Sequence, residues 1–331
     1  MLASEIIKRV KEIQVRTGRQ VADVLAGEYV SVFKGGGIEF DEVRPYIPGD
    51  DIRSIDWNVT ARVGEPYVKR FVEERQLTLM LMADVSLSQE FGSGSRSKRE
   101  ATAEFCALLA FSANQNDDKV GLVLFHGGVE QYIPPRKGQK HALRVVREVL
   151  AHGEEAPESE PSLQPNPTPN DSDFWNRVKS RFKFNRDKTL RSADQTTDIG
   201  QAVQFFLSVT KRKSVCFLVS DFLDDGYEQA LMTANRKHDV VAVLITDPRE
   251  MEMPGVGLIA LQDAENGSTQ LYDTSSKSFR DSLRKAGQKR IEDLEKSLRK
   301  RGIDFIHIDA SGSVVDPLVK FFRMREKRSR R

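Results

Sequence analysis

From residue 76 onward, short apolar runs alternate with longer segments in which apolar residues recur every three or four positions. A short apolar run that ends in turn residues is typical of a strand buried on both faces, and the longer spacing is typical of an amphipathic helix. The alternation predicts a doubly wound α/β fold, with a mostly parallel sheet covered by helices on both faces. The predicted strands lie at 76–84, 120–125, 129–134, 214–219, 240–245 and 305–308, and the predicted helices at 97–114, 139–152, 198–210, 225–237, 276–301 and 314–325.

The first 75 residues follow a different pattern. Residues 1–28 carry apolar positions at helical spacing and predict an N-terminal helical segment. Residues 29–75 alternate between apolar and polar positions around the turn Gly35-Gly36-Gly37, which predicts a small antiparallel β subdomain of several short strands.

The α/β domain is expected to span residues 76–325, with one interruption. Residues 153–195 begin with a proline-rich and acidic stretch of almost no apolar content, which predicts a disordered insertion. Two short apolar segments, 258–261 and 270–272, predict edge strands. Residues 326–331 form a basic tail.

Composition and charge narrow the class of protein. The 51 basic residues nearly balance the 49 acidic ones, so no global charge favours nucleic acid or a membrane surface. Cys106 and Cys216 each lie in an apolar segment, which indicates free thiols in a reducing compartment. No apolar run approaches the length that spans a bilayer. Charged residues interrupt the first apolar stretches, so we expect no signal peptide there. We therefore expect a cytoplasmic protein.

Hard oxygen donors stand at three points of the predicted sheet. They follow the strand at 76–84, precede the helix at 198–210 and follow the strand at 214–219. Because the carboxyl ends of parallel strands open at one edge, these donors are expected to converge on one divalent ion, Mg²⁺ or else Mn²⁺ or Ca²⁺. Two carboxylates about neutralise the ion, and neutral hydroxyls leave it electrophilic. The predicted ligands are Asp84, Ser86, Ser88, Thr196 or Thr197, and Asp221.

This set of residues resembles the metal-ion-dependent adhesion site of the von Willebrand factor A domain, which combines D-x-S-x-S with a Thr and a further Asp. The resemblance covers about residues 76–325 and implies an ion that accepts a carboxylate from a protein partner. Family members commonly have a glycine before the motif threonine, where this chain has Thr196. The ligands that the resemblance implies are Asp84, Ser86, Ser88, Thr197 and Asp221.

The segment that precedes the central strand resembles the signature of domain-of-unknown-function family fifty-eight. Members of that family are often encoded beside MoxR-type AAA+ ATPases, so the resemblance implies such an ATPase as a partner. Each acidic residue of the segment has a nearby arginine, which favours structural ion pairs over a second metal site. The signature residues are Arg44, Tyr46, Gly49, Asp50, Arg53, Asp56, Trp57 and Arg62.

These patterns favour a non-catalytic, metal-dependent protein-interaction module. The alternative is a metal-dependent hydrolase, such as a phosphodiesterase, built on the same acids; it needs a general base, and none of the five histidines stands in a known metal-ligand motif. The Gly92-Ser93-Gly94 loop lacks the third glycine of a dinucleotide fingerprint. The basic stretch 178–191 is interpreted as a solvated loop and not as a nucleic-acid site.

Overall fold

The computed structural model describes residues 12–13, 37–74, 77–94, 96–152, 197–262 and 269–329. The chain divides into a smaller unit, Phe33–Leu77, and a larger unit that contains the rest of the chain. Most of the predicted N-terminal helix, Thr196 and the insertion at 153–195 lie outside the described residues, although residues 12–13 are helical.

The described part of the smaller unit is built from two strands, a short α-helix and a single 3₁₀ turn, Ile52–Ser54. Strand β1 (Gly37–Pro45) pairs antiparallel with β2 (Tyr67–Glu74), and helix α1 (Trp57–Val63) lies between them in the chain. The antiparallel pairing agrees with the sequence prediction, but the described part of the unit contains one long hairpin-like pair and not several short strands. The difference arises at α1, because Asp56 caps this helix with hydrogen bonds from the Asn58 and Val59 N–H groups.

The larger unit contains a six-stranded sheet with the order β10-β7-β6-β3-β4-β5. All neighbouring strands are parallel except β5, which runs antiparallel to β4 at one edge. The strands of this unit are β3 (Thr78–Asp84), β4 (Lys119–Phe125), β5 (Val129–Arg136), β6 (Val215–Ser220), β7 (Asp239–Thr246), β8 (Leu258–Gln262), β9 (Thr269–Asp273) and β10 (Asp304–Asp309).

Helices cover both faces of the sheet. On one face, Met80 and Met82 of β3 belong to a buried cluster with residues of α4, α5 and α7, and on the other face the Phe217 ring contacts Phe105 of α2 and Phe321 of α8. Helix α2 is enclosed on all sides, since every residue from 98 to 113 is buried except Glu100. The helices are α2 (Lys98–Gln115), α3 (Gln139–Ala151), α4 (Ile199–Val209), α5 (Glu228–Lys237), α6 (Pro248–Met251), α7 (Lys277–Lys300) and α8 (Val315–Ser329).

The chain reverses its direction of travel across the sheet between β3 and β6. It leaves β3 towards β4 on one side, and it later leaves β6 towards β7 on the other side. In an open α/β sheet such a reversal creates a crevice at the carboxyl ends of the two adjacent strands, and ligands bind there. The fold therefore confirms the predicted doubly wound sheet. It also indicates that a binding site would lie at the residues that follow β3 and β6.

Two elements differ from their predictions. Strands β8 and β9 pair with each other in a separate two-stranded antiparallel sheet and are not edge strands of the main sheet. A strand pattern does not specify which strand it pairs with, and the exposed side chains of Leu258 and Leu271 show that this ribbon lies outside the core. The predicted basic tail is helical through residue 329, because α8 continues to Ser329. None of the helices in the described ranges combines the length and the apolar composition of a membrane-spanning segment.

Candidate metal-ion site

Asp84 ends the central strand β3 and is almost completely buried, with 1% of its surface exposed. Its Oδ1 accepts a hydrogen bond from the Ser86 N–H (2.9 Å), which bends the chain into the D-x-S-x-S turn. Its Oδ2 accepts a hydrogen bond from the Ser220 hydroxyl at the end of β6 (2.7 Å). The carboxylate is thus fixed between the ends of the two strands that form the crevice.

A continuous chain of oxygen atoms connects the D-x-S-x-S turn to β6. The hydroxyls of Ser86 and Ser88 lie 2.9 Å apart, and the Ser88 hydroxyl donates to Asp221 Oδ2 at 2.8 Å. Asp221 follows β6 directly, and its own carbonyl accepts a hydrogen bond from Arg290 of α7 (3.2 Å). Four of the five predicted ligands therefore converge on the β3–β6 crevice.

Thr197 lies at the same edge of the sheet, beside β4. It is buried, and the N–H of the next residue, Asp198, donates to the His126 carbonyl at the end of β4 (2.9 Å). The Asp198 carboxylate caps α4, and Asp224 accepts from the Ile199 N–H (2.8 Å). These contacts hold Thr197 next to the strand that neighbours β3. Thr196 lies outside the described residues, so the choice between the two threonines stays a prediction.

The spacing of these oxygens fits a hard divalent cation. Mg²⁺ binds oxygen ligands at about 2.0–2.1 Å in octahedral geometry, so adjacent ligands of one ion lie about 2.9 Å apart. The Ser86–Ser88 and Ser88–Asp221 separations, 2.9 and 2.8 Å, are those of the hydrogen bonds that join these oxygens, and they are also compatible with that ligand spacing. Within the described ranges, no group of three or more His, Cys, Asp or Glu residues has the arrangement of a metal site. The donor set here consists instead of two carboxylates and several hydroxyls, which suits Mg²⁺ or Mn²⁺ better than Zn²⁺.

A buried lysine stands beside the oxygen chain. Lys98 is the first residue of α2, and its ammonium donates to Asp221 Oδ2 (3.1 Å) and to Glu250 Oε1 (2.5 Å). Only 1% of its side chain is exposed. Burial by itself lowers the pKa of Lys98, but the charges of Asp221 and Glu250 outweigh that effect and raise the pKa above its ordinary value. The lysine therefore remains charged inside the protein.

Sequence reasoning missed Lys98, Ser220 and Glu250. A lysine at the start of a helix is usually solvated, and nothing in the local pattern indicates that α6 places a carboxylate against it. Ser220 could have been predicted from the sequence, because it directly precedes Asp221 at the end of a predicted strand. Asp247 offered a similar signal at the end of β7, and its carboxylate accepts from the Ser93 N–H at 2.8 Å. That contact holds the Gly92-Ser93-Gly94 loop at the same edge of the sheet.

Burial and the nearby Asp221 charge raise the pKa of Asp84 to about 7, although hydrogen bonds from Ser220 and Ser86 oppose the shift. A metal ion binds only the ionised carboxylate, so binding must release the proton that Asp84 holds at lower pH. We expect the affinity for Mg²⁺ to fall as the pH is lowered from about 8 to about 6. Calorimetric titrations in buffers of different ionisation enthalpy measure the proton release directly. An affinity and proton count that do not change across this range would contradict the prediction.

The signature residues of the smaller unit engage one another. Arg44 forms a bidentate pair with Asp50 (2.7 and 2.8 Å), and Asp50 also accepts from the Ile47 N–H. Asp56 caps α1 and pairs with Lys69 (3.4 Å). The carboxylates of Asp50 and Asp56 are therefore occupied by contacts within the unit, and the structural role of the signature residues stays a prediction.

Of the remaining signature residues, Tyr46 and Gly49 are notable for their backbone, and the other three are exposed. The Tyr46 N–H donates to the Pro66 carbonyl (2.8 Å), and Gly49 has φ of +115°, a conformation that favours glycine. Arg53, Trp57 and Arg62 are exposed on this unit, and 66% of the Trp57 surface is accessible.

Comparisons with known proteins identify a family and several relatives. Residues 42–293 match the family model described as "Protein of unknown function DUF58". The chain is 24% identical over 318 residues to the uncharacterized protein Rv1480 of Mycobacterium tuberculosis, covering 96% of this chain and 89% of that protein. It is 26% identical over 161 residues to the uncharacterized protein MAV169 of Mycobacterium avium, covering 46% of this chain and 95% of that protein.

Two solved structures are similar to parts of this chain. BatB from Bacteroides thetaiotaomicron is 15% identical, with a TM-score of 0.42, covering 76% of this chain and 99% of that chain. Proximal thread matrix protein 1 from the mussel byssus, in a structure described as having a zinc-occupied MIDAS motif, is 13% identical with a TM-score of 0.31. That likeness covers 51% of this chain and 38% of the mussel chain.

Proposed function

The chain belongs to the DUF58 family, as its signature residues predict, and we propose that it is a metal-dependent protein-interaction module without catalytic activity. In this proposal the β3–β6 crevice holds a divalent ion, which accepts a carboxylate from an acidic residue of a partner protein. Mg²⁺ is the preferred ion, with Mn²⁺ or Ca²⁺ as substitutes. The protein ligands are Asp84, Ser86, Ser88, Thr197 and Asp221.

The observation that carries the proposal is the convergence of four predicted ligands on the β3–β6 crevice, where hydrogen bonds link Ser86 through Ser88 to Asp221. The two serine hydroxyls are neutral donors, so they contribute no charge that would quench the ion. An ion held by few carboxylates remains a strong electrophile and can accept a further anionic ligand. This charge balance favours the capture of a carboxylate from outside the chain.

The partner that we propose is a MoxR-type AAA+ ATPase, as the family resemblance implies. We expect the immobilised protein to capture the purified ATPase in Mg²⁺ and to lose it in EDTA. Replacement of Ser88 by alanine removes one neutral ligand and is expected to weaken capture in Mg²⁺ by about tenfold, the usual effect of disturbing a metal site. The readout is the apparent Kd from a titration of the ATPase.

Ser208→Ala is the matched control for this test. The Ser208 hydroxyl donates to the Phe205 carbonyl within α4, so its loss removes one local hydrogen bond and no proposed ligand. Capture that is equal in Mg²⁺ and EDTA, or equal for the Ser88→Ala and Ser208→Ala variants, would contradict a metal-dependent interaction.

One observation favours a second candidate, a metal-dependent phosphodiesterase. His126 follows β4 at the edge where the proposed ligands lie, and a histidine near a metal can act as a general base. The test is hydrolysis of bis(p-nitrophenyl) phosphate in Mn²⁺ by the wild-type, Asp84→Asn and His126→Ala proteins. Turnover by the wild type that both variants lose would replace the interaction function with this one.

A further inference from the structure

The buried Lys98 ammonium shares one oxygen atom with the proposed metal site. Asp221 Oδ2 accepts both the hydrogen bond of the Ser88 hydroxyl and that of the Lys98 ammonium. A divalent ion bound to Ser88 and Asp221 would therefore lie close to a positive charge that is already in place. In a buried site such a repulsion is only weakly screened.

Glu250 offers the ammonium a second anchor that is already positioned. Its Oε1 accepts from Lys98, while its Oε2 accepts from the Asp247 N–H (3.2 Å) in the capping box of α6. About a quarter of the Glu250 side chain is exposed, in contrast to the buried Asp221. The ammonium can therefore release Asp221 and keep a charged partner without moving far.

We propose that Lys98 is a tethered cation that neutralises Asp221 in the metal-free protein and competes with the divalent ion for that carboxylate. The inference rests on the proposed function, because it concerns the same site. When the ion binds, the ammonium gives up its hydrogen bond to Asp221 and stays on Glu250. Lys98 is thus a positioning residue: it keeps the empty site folded, and it lowers the affinity so that the ion can exchange.

A purely structural ion pair would behave differently. If Lys98 only attached α2 to α6, its loss would destabilise the protein equally with and without metal, and the affinity for Mg²⁺ would not rise. If Lys98 competes with the ion, its removal should lower the stability of the metal-free protein and raise the affinity for Mg²⁺.

Lys98→Met tests the proposal, because methionine keeps most of the side-chain volume and removes the charge. We expect Mg²⁺ to bind this variant at least about tenfold more tightly than the wild type in calorimetry, since one repelling charge is gone. We also expect a lower Tm in EDTA that saturating Mg²⁺ largely restores. Lys137→Met is the matched control, because Lys137 pairs with Asp117 away from the crevice and should leave the affinity unchanged.

Glu250→Gln provides a second test that does not depend on the folding of Lys98→Met. Loss of the second anchor leaves the ammonium on Asp221, so we expect Mg²⁺ to bind this variant several-fold more weakly. In the double variant with Lys98→Met, the Glu250 substitution should have little further effect, because the coupling runs through the ammonium. An unchanged affinity in Glu250→Gln, or an equal effect in both backgrounds, would overturn the proposal.

The outcomes separate this proposal from the proposed function. If the wild type binds Mg²⁺ and Lys98→Met binds it equally or more weakly, the tethered cation is wrong and the metal-dependent module stands. If only Lys98→Met binds Mg²⁺, the ammonium replaces the ion in the native chain. The competition for Asp221 then stands, whereas the exchange of ions and the metal-dependent function are wrong. If neither protein binds Mg²⁺, both are wrong.

Discussion

Replacement of Asp84 by asparagine is expected to lower the affinity for Mg²⁺ by at least about 100-fold while making the metal-free protein more resistant to heat at pH 8. The loss of affinity follows from the removal of a charged ligand at the centre of the crevice. The side-chain amide keeps an oxygen that accepts from the Ser86 N–H, and its nitrogen can donate to the Ser220 hydroxyl. The local fold is therefore retained.

The gain in stability follows from the sign of the pKa shift. Burial and the charge of Asp221 raise the pKa of Asp84 from its ordinary value of 3.8 to about 7. Between these two values the folded protein holds a proton that the unfolded chain releases, so the stability falls as the pH rises through this window. Asparagine has no charge to bury, and it removes that loss.

Differential scanning calorimetry in EDTA at several pH values and Mg²⁺ titration at pH 8 measure the two halves of this prediction. Asp117→Asn is the control, because 78% of the Asp117 side chain is exposed and its carboxylate pairs with Lys137 and with none of the proposed ligands. A variant of Asp84 that binds Mg²⁺ as the wild type does would exclude this carboxylate as a ligand. A lower Tm at pH 8 would show that the charge of Asp84 stabilises the metal-free fold.

Replacement of Arg325 by methionine is expected to cost about 2–3 kcal/mol in the free energy of unfolding. This is less than the cost of about 3–5 kcal/mol for a fully buried ion pair, because 31% of the Asp239 side chain is exposed. The Arg325 guanidinium joins α8 to the ends of two strands, because it donates to Asp239 (2.5 and 2.6 Å) and to Asp304 (2.5 Å). It also lies 5.1 Å from the centre of the Phe321 ring. Its loss leaves Asp239 without its guanidinium partner and weakens the attachment of α8.

Arg328 is the matched control for Arg325. It also pairs with Asp304 (2.9 Å), but 64% of its side chain is exposed, so Arg328→Met is expected to cost less than about 1 kcal/mol. Urea denaturation of the three proteins at constant pH gives the free energies. Equal values for both variants would contradict the assignment of Arg325 as the less exposed and more stabilising arginine of the cluster.

Acid titration gives a further measure of this cluster. Burial alone would raise the pKa of Asp304, but hydrogen bonds from Arg328 and the charge of Arg325 hold the pKa below its ordinary value. Such a carboxylate contributes stability above its unfolded pKa of about 3.8, and the contribution is lost as the pH falls through the lower, folded value. The Arg325→Met protein should therefore lose less stability than the wild type on acidification.

The central sheet was predictable because its information is local. Each strand is a short apolar run followed by turn residues, and the rule that parallel strands open at one edge is enough to bring Asp84 and Asp221 together. In the structure, β3 pairs with β4 in a register that places Asp84 opposite Phe125. The conclusion that donors after different strands meet at one crevice needs no knowledge of side-chain packing.

The features that sequence reasoning missed depend on contacts between distant segments. Lys98 is buried only because Asp221 and Glu250, more than 100 residues away in the chain, come to meet its ammonium. The β8–β9 ribbon was predicted as strands, but pairing is decided by the partners that remain accessible once the sheet has formed. Charge compensation and strand pairing are therefore the two properties that the residue pattern left open.

The enclosure of α2 on all sides has a consequence for how monovalent cations would act on the proposed metal site. A helix fixed by its surroundings holds the Lys98 ammonium within a few ångströms of Asp221, so the local concentration of this cation far exceeds that of K⁺ or Na⁺ in any buffer. Free monovalent ions therefore add little to the competition for Asp221, because the Lys98 ammonium is part of the protein and is always present. If the crevice binds a divalent ion as proposed, K⁺ and Na⁺ should accordingly compete little with that ion for Asp221.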